Sequence, residues 1–245
     1  MLKSKIQKQL VWSRLKAVAR PDSRFGYDFS RYIPDFDQSL LATNRLCGVE
    51  SFQTARFIMV TPDNSLTELR CQLIKEQRLF IMPTYGIRRG FVLMEPNVVA
   101  KGQEHCAAWL DGMEHFGRYV SLRDIVSIGK LDFLITGASA VNLDGIRFGK
   151  GHGYFDIEWS IFSEIGLVNN QTKIAAITHD FQVVDESLFI KPEDVQIDYI
   201  ATPTRLIEVM QRAVRPKGMN WKLLDPDLVE AIPPLLELKS SLGLI

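Results

Sequence analysis

Arg147-Phe148-Gly149-Lys150-Gly151-His152-Gly153-Tyr154-Phe155-Asp156 sets three alternating glycines between an apolar run and an amphipathic stretch. The run ahead of it, Leu131 to Thr136, leads into the small residues Gly137 to Ala140 and reads as a buried strand. The stretch behind it repeats large apolar residues at Phe155, Trp159 and Phe162, the spacing of one helix face. Strand, glycine loop and helix in that order make an anion site. Glycine lets backbone N–H groups turn inward, and the helix adds its positive end. Arg147 contributes a planar fork for phosphate oxygens and Lys150 a point charge. Asp156 is a carboxylate of the kind that holds magnesium on phosphates. The string is neither G-x-x-x-x-G-K-[ST] nor G-x-G-x-x-G, so spacing alone predicts a phosphate site of unspecified kind.

Outward from the loop, short apolar strands alternate with amphipathic helices. Helices are expected over 4–19, 38–48, 66–77, 103–118, 155–165 and 204–213. Strands are expected over 56–60, 79–82, 131–136, 174–178 and 197–201. Continuous apolar strands of this length are buried on both faces, which predicts an α/β fold of three layers with a mostly parallel sheet. No Gly-, Ser- or Pro-rich linker interrupts the middle of the chain. The expected organisation is one α/β domain over 1–215 with an extension, 216–245, packed on it.

Composition narrows the class further. The 245 residues are 46% hydrophobic and 24% charged, and 29 basic residues balance 29 acidic ones. That balance gives no reason to expect nucleic acid as a partner. Cys47, Cys71 and Cys106 are far apart and show no metal or redox spacing, as expected of small buried residues in a reducing compartment. No apolar run approaches the roughly 20 residues that span a bilayer. The N-terminus starts polar and basic, unlike a signal peptide. The expectation is a cytoplasmic protein with a small-molecule substrate and no membrane partner; its oligomeric state is left open.

The longer string Gly145 to Asp156, G-I-R-F-G-K-G-H-G-Y-F-D, resembles the signature of the 5-formyltetrahydrofolate cyclo-ligase family, approximately G-x-R-L-G-x-G-x-G-Y-Y-D. Phe155 stands where that signature has its second tyrosine. Leu79 to Pro83, Gln182 to Asp185 and Asp194 to Thr202 are similar to further family segments in the same order, over roughly residues 55–205. The likeness is to a divergent, cyclo-ligase-like branch. It implies the three-layer fold shared with ribose-phosphate isomerases and coenzyme A transferases. It also implies ATP, Mg2+ and a reduced folate as ligands, and conversion of 5-formyltetrahydrofolate to 5,10-methenyltetrahydrofolate. By matching positions Arg147, Lys150 and Tyr154 would be catalytic, and Lys8, Gly149, Gly151, Gly153 and Asp156 would bind ATP. Asp156 and Asp144 would hold the metal. Two alternatives stand beside this: a nucleotide- or folate-binding protein without turnover, and a related ligase acting on another substrate.

The chain departs from the family pattern at several places. The family's E-x-x-T pair, whose glutamate meets the pterin ring, falls near Ser65 and Leu66 here. Its acidic residue before the loop aligns with Asn142, with Asp144 close by. Lys3, Lys5 and Lys8 are present on the first helix without an arginine in register. Residues 101–123 replace a short connection. His179 and Asp180 follow a strand end where α/β sheets place ligands. Arg88 and Arg89 are either a second anion site or solvated, and Thr202 is expected to cap a helix. His105 and His115 lie among Glu104, Asp111 and Glu114, but their spacing fits no common metal pattern.

Overall fold

A computed structural model describes residues 2–149, 153–185, 188 and 191–244, with side chains from Lys8 onward. The chain opens with α1 (Leu2–Leu15), crosses an irregular segment, and forms α2 (Ser39–Cys47) and the short α3 (Glu50–Gln53). Next come β1 (Ile58–Val60), α4 (Thr67–Lys75), β2 (Phe80–Pro83) and β3 (Phe91–Met94). The segment expected as one helix over 103–118 is broken into α5 (Glu104–Ala108) and α6 (Leu110–Phe116), because Trp109 is extended. Gly112 allows the two pieces to touch: a Cβ there would stand 1.9 Å from the Cys106 carbonyl oxygen. β4 (Arg118–Val120), α7 (Leu122–Ile128) and β5 (Phe133–Thr136) follow. Then come the hairpin of β6 (Ala140–Asn142) and β7 (Arg147–Phe148), and α8 (Tyr154–Glu164). The chain continues through β8 (Lys173–Ile177), β9 (Val183–Val184), β10 (Tyr199–Ala201), β11 (Leu206–Glu208), α9 (Pro226–Glu230) and α10 (Pro233–Ser241).

The main sheet has the order β11-β10-β8-β5-β1-β2-β3-β4. Its middle strands, β10, β8, β5, β1 and β2, run parallel, and antiparallel strands close both edges. Alternation along each strand divides the core. Ile58, Val60, Phe80, Met82, Phe133 and Ile135 face a layer built by α2, α4, α5 and α6. Met59, Ile81, Leu134 and Ala176 face α7, α8 and α10. Both faces of the parallel strands are thus covered, which is why they carry so few polar residues. After Pro216 the chain returns to the second face, where Ile232, Leu235 and Leu238 are fully buried. Among the described residues no helix is long and apolar enough to cross a membrane.

The expected helix over 204–213 is instead an antiparallel strand. Pro203 and Thr204 turn the chain tightly, the Thr202 hydroxyl accepts from the Arg205 N–H, and Leu206 to Glu208 pair with β10. Thr202 therefore closes a hairpin and caps no helix. Apolar residues at 206, 207, 209 and 210 suit either period; the open sheet edge beside β10 decides between them. The antiparallel strands β3 and β4 also lie outside the sequence expectations.

Candidate functional site

The strand order reverses between β1 and β5. From β1 the chain winds outward through β2, and from β5 it winds the other way through β8 and β10. A crevice opens at the carboxyl ends of the strands at such a reversal. It is flanked here by the loops after β1 (Thr61 to Leu66) and β5 (Gly137 to Ser139).

The glycine loop grows from this second flank. β6 pairs with β7 in register Ala140 to Phe148, so Gly149 leaves the hairpin beside the end of β5. Gly153 has a φ of 65°, which favours glycine, and α8 begins at the next residue. The start of α8 has no side-chain cap, which leaves its first N–H groups open to an anion. Lys150, Gly151 and His152 lie outside the described residues.

Arg147 donates from Nη2 to Asp156 Oδ1 at 2.8 Å, and both side chains are nearly buried. Its guanidinium stacks 4.2 Å from the centre of the Phe155 ring, while its buried Nε has no partner among the described residues. Asp156 Oδ1 also accepts the Val195 N–H at 3.0 Å, so this carboxylate ties α8 to the segment before β10. The other oxygen, Oδ2, lies 3.9 Å from where a Cβ on Gly153 would stand, towards the loop. Tyr154 projects to the turn after β2, its hydroxyl 3.4 Å from a Cβ placed on Gly86.

The fold also brings Lys8 here. Helix α1 packs against the turn Asp180–Gln182, and Lys8 Nζ stands 5.5 Å from the centre of the Phe148 ring, one residue before Gly149. Burial lowers the pKa of this lysine. Arg147, Tyr154, Asp156, Gly149, Gly153 and Lys8 therefore converge on one end of the sheet. Asp144 does not join them. It occupies the exposed turn at the opposite end of the β6–β7 hairpin, bonded to the Asn142 side chain. Among the described residues no three His, Cys, Asp or Glu side chains cluster as metal ligands.

Other residues singled out in the sequence have structural partners. Asp180 Oδ1 accepts the hydroxyls of Thr202 and Thr204 at 2.7 and 2.6 Å, and the His179 ring accepts from the Phe181 N–H. This pair braces the turn after β8 against the β10–β11 hairpin. Arg89 forks onto Glu114, which also accepts the Tyr119 hydroxyl. His105 lies 3.6 Å from Glu68, while His115 packs on Phe116. Ser65 and Leu66 are fully buried.

The irregular segment between α1 and α2, which carries no sequence motif, packs on the loops after β1 and β2. Between α1 and α2 the buried Asp22 receives Arg24 at both Nε and Nη2, the Arg24 and Phe25 N–H groups, and Asn64 Nδ2 at 2.8 Å. Tyr85 donates its hydroxyl to the Arg31 carbonyl, and the Asn64 N–H donates to Ile33. Burial by itself would raise the Asp22 pKa, but the bonds from Arg24 and Asn64 outweigh it and hold the carboxyl at about 2. A carboxyl depressed on folding stabilises above its unfolded pKa, and that contribution is lost as pH falls through the folded value. The expected result is that Asp22→Asn lowers the unfolding free energy at neutral pH and flattens its decline between about pH 4 and about pH 2. Denaturant melts at fixed pH values would measure it. An unchanged decline in the variant would assign the acid sensitivity elsewhere.

With this geometry in place, comparison with known proteins gives a consistent answer. The 5-formyltetrahydrofolate cyclo-ligase family matches residues 2–203. The methenyltetrahydrofolate synthase domain-containing protein of Homo sapiens is 29% identical over 237 residues, covering 95% of this chain and 60% of the relative. Its Mus musculus counterpart is 30% identical over 210 residues, covering 84% and 56%. This chain thus spans about three fifths of the length of these relatives. The solved 5,10-methenyltetrahydrofolate synthetase of Aquifex aeolicus shares the fold, with a TM-score of 0.52 at 20% identity over 90% of this chain and all of that one. This chain belongs to the 5-formyltetrahydrofolate cyclo-ligase family.

Proposed function

We propose that this protein is an ATP- and Mg2+-dependent cyclo-ligase that converts 5-formyltetrahydrofolate to 5,10-methenyltetrahydrofolate. The observation that carries the reading is the convergence of Arg147, Lys8 and the uncapped start of α8 around a glycine loop, in a chain of this family. Three sources of positive charge at one loop suit a polyphosphate. Arg147 Nε has no partner among the described residues, and a fork with an unused donor suits phosphate oxygens.

The chemistry needs activation because a formamide oxygen leaves poorly. Transfer of the terminal phosphoryl group to that oxygen makes it a phosphate leaving group. The neighbouring side-chain amine nitrogen, N10, then attacks the formyl carbon, and the five-membered ring closes as phosphate departs and the amine proton is lost. Protein groups mainly position the reactants and spread charge in such transfers. In this assignment Arg147 and Lys150 hold the transferred phosphoryl group, and Tyr154 lines the site between loop and acceptor. Lys8, Gly149, Gly151 and Gly153 cradle the rest of the nucleotide.

Asp156 suits the metal role without a cluster of carboxylates. Magnesium on a nucleotide is commonly held by one or two carboxylates, phosphate oxygens and water. Oδ1 of Asp156 is fixed by Arg147 and Val195, and Oδ2 is directed to the loop. The ion would neutralise charge on the phosphates. Asp144, at the far end of its hairpin, has no part in this arrangement.

The test is an assay of the purified protein with 5-formyltetrahydrofolate, ATP and magnesium, followed by the ultraviolet band of methenyltetrahydrofolate. Appearance of the band with stoichiometric ADP is expected. Its absence at high protein concentration, beside an active cyclo-ligase as control, would sink the proposal. Stabilisation by ATP without ADP release would instead support binding without turnover.

A further inference from the structure

Helix α4 begins beside the crevice and ends at the other end of the sheet, where Lys75-Glu76-Gln77-Arg78 turns the chain towards β2. The Gln77 N–H donates to the Ile74 carbonyl at 3.0 Å and the Arg78 N–H to the Leu73 carbonyl at 2.9 Å. Such a closure needs a residue in the left-handed region, a place that glycine ordinarily takes. Gln77 takes it here, with a φ of 55°. The two bonds use carbonyls at the end of α4, so fewer of them point into the space beyond.

That space is a cavity of about 450 Å³ between the end of α4, the end of β3 and the approach to α5. Small-molecule sites typically measure about 300–1,000 Å³. β3 runs antiparallel to β2 with Met94 opposite Phe80, which puts the cavity at the amino ends of the parallel strands. The crevice lies at their carboxyl ends, and none of its loops lines this cavity.

One part of the lining is apolar and the other carries excess positive charge. Ile74, Met94 and Val99 form the apolar part, and the first two are buried. Both carboxylates of the rim are engaged: Glu95 lies 3.3 Å from Arg118, and Glu104 Oε2 accepts the Gly102 N–H at 2.8 Å. Arg78 is held in place, its Nη2 donating to the Phe52 and Ala55 carbonyls and its guanidinium stacked 4.6 Å from the centre of the Phe52 ring. Its nearest carboxylate, Glu76, is 3.9 Å away. Lys75 and Lys101 line the same cavity and have no ion pair among the described residues.

We infer that this cavity is a second binding site, which takes a small organic anion with a short apolar body. Two ammonium groups and a fixed guanidinium attract a carboxylate or phosphate headgroup. The amides of Gln77 and Asn97 stand on the same lining and offer further N–H donors. Asn97 also has a left-handed backbone, with a φ of 65°. Side chains at both places cost strain that glycine would avoid, as is common where a residue serves a ligand. The apolar wall removes a chain or small ring from water. A cation would be repelled by Lys75 and Lys101, and a neutral hydrocarbon would leave their charge unanswered.

Hexanoate, hexyl phosphate, hexylamine and inorganic phosphate, titrated into the full chain and followed by backbone amide NMR shifts, test the site. Hexanoate or hexyl phosphate is expected to shift residues 74–78 and 94–104 and to saturate below about 5 mM, with hexylamine at least about 10-fold weaker. Saturation by either anion supports the site, and the tighter of the two identifies the headgroup. Lys101→Glu, a charge reversal in an exposed loop, should weaken the anion about 10-fold. Val99→Phe, which fills the cavity, should abolish binding. No saturation by either anion at about 20 mM would overturn the inference. Inorganic phosphate binding as tightly as hexyl phosphate would overturn the apolar half of it. Equal affinity in Lys101→Glu and wild type would overturn the charged half. Shifts confined to Gly137–Ser139 and the start of α8 would place the anion in the crevice and leave no second site.

Discussion

Replacing Arg147 with lysine is expected to leave the fold intact while ATP affinity drops by about 10- to 100-fold, because a point charge replaces a planar fork. Arg147→Met goes further on both counts. Among the described residues it leaves the mostly buried Asp156 with only the Val195 N–H to answer its charge. Breaking one side of a buried pair costs about 3–5 kcal/mol, and the partial exposure of Asp156 puts the expected loss at the low end. Turnover in the methionine variant should fall by about 100- to 1,000-fold, as when a donor to developing negative charge is removed. Adding Asp156→Asn to Arg147→Met should recover most of the stability and none of the ATP affinity. That split isolates the ion pair from the phosphate contact. Urea melts and nucleotide titrations on the four proteins of the cycle measure both. If Arg147→Lys binds ATP as wild type does, Arg147 serves only to hold Asp156, and the phosphate assignment fails.

The loop that carries this argument was legible because its signal is local. Glycines at alternate positions, a buried strand before them and a helical apolar stripe after them are all written within some thirty consecutive residues. The parallel strands were legible for a related reason. Strands buried on both faces have no polar alternation to disguise them, and Ile58, Phe80, Phe133 and Ile174 are all fully buried. Strands at the sheet edges were not. The stretch that forms β11 reads as a helix, since Leu206, Ile207 and Val209 satisfy either period and only the neighbour β10 selects one. The break at Trp109 likewise depends on Gly112 meeting Cys106, a contact no spacing rule contains.

Half of the candidate site was hidden for a deeper reason. Asp22, which holds the loop after β1 through Asn64, belongs to no motif, and its partner is set by strand order. That β5 returns beside β1 and not beyond β2 is settled by packing across the whole sheet. Only then do the loops after β1 and β5 face one another and Asp63 meet Gly137. Lys8 is an intermediate case. A basic residue on a first helix is ordinarily solvated, and this one is drawn in because α1 docks on the turn after β8. The motif-bearing part of the site thus reads from sequence, and the part made by distant loops reads from topology.

The strongest effect on stability is expected away from the crevice, at Asp198. Its Oδ2 accepts the Ile174 N–H at 2.8 Å and Arg215 Nη2 at 2.5 Å, and Oδ1 accepts Arg212 Nε at 2.8 Å. Arg215 is almost wholly buried and also donates to the carbonyls of Gln196 and Thr172. Burial lowers the pKa of Arg215 and the pairing with Asp198 opposes that, but an arginine still keeps its proton. Asp198→Ala therefore strands a buried cation, at an expected cost of about 3–5 kcal/mol. Arg215→Met should cost less, about 1–3 kcal/mol, since the carboxylate keeps Arg212 and the Ile174 N–H and the methionine refills much of the volume. The asymmetry tests the charge argument: equal losses in the two variants would mean that packing of the strap from Val209 to Pro216, and not the ion pair, holds it down. The strap matters to the site because Pro216 accepts the Trp159 indole N–H at 2.8 Å, and Trp159 lies on α8, the helix that follows the glycine loop. On the proposed function, Asp198→Ala should accordingly weaken ATP binding as well, by a smaller factor than Arg147→Lys and without a change in magnesium dependence, since it loosens the helix and leaves Arg147, Lys8 and Asp156 unaltered.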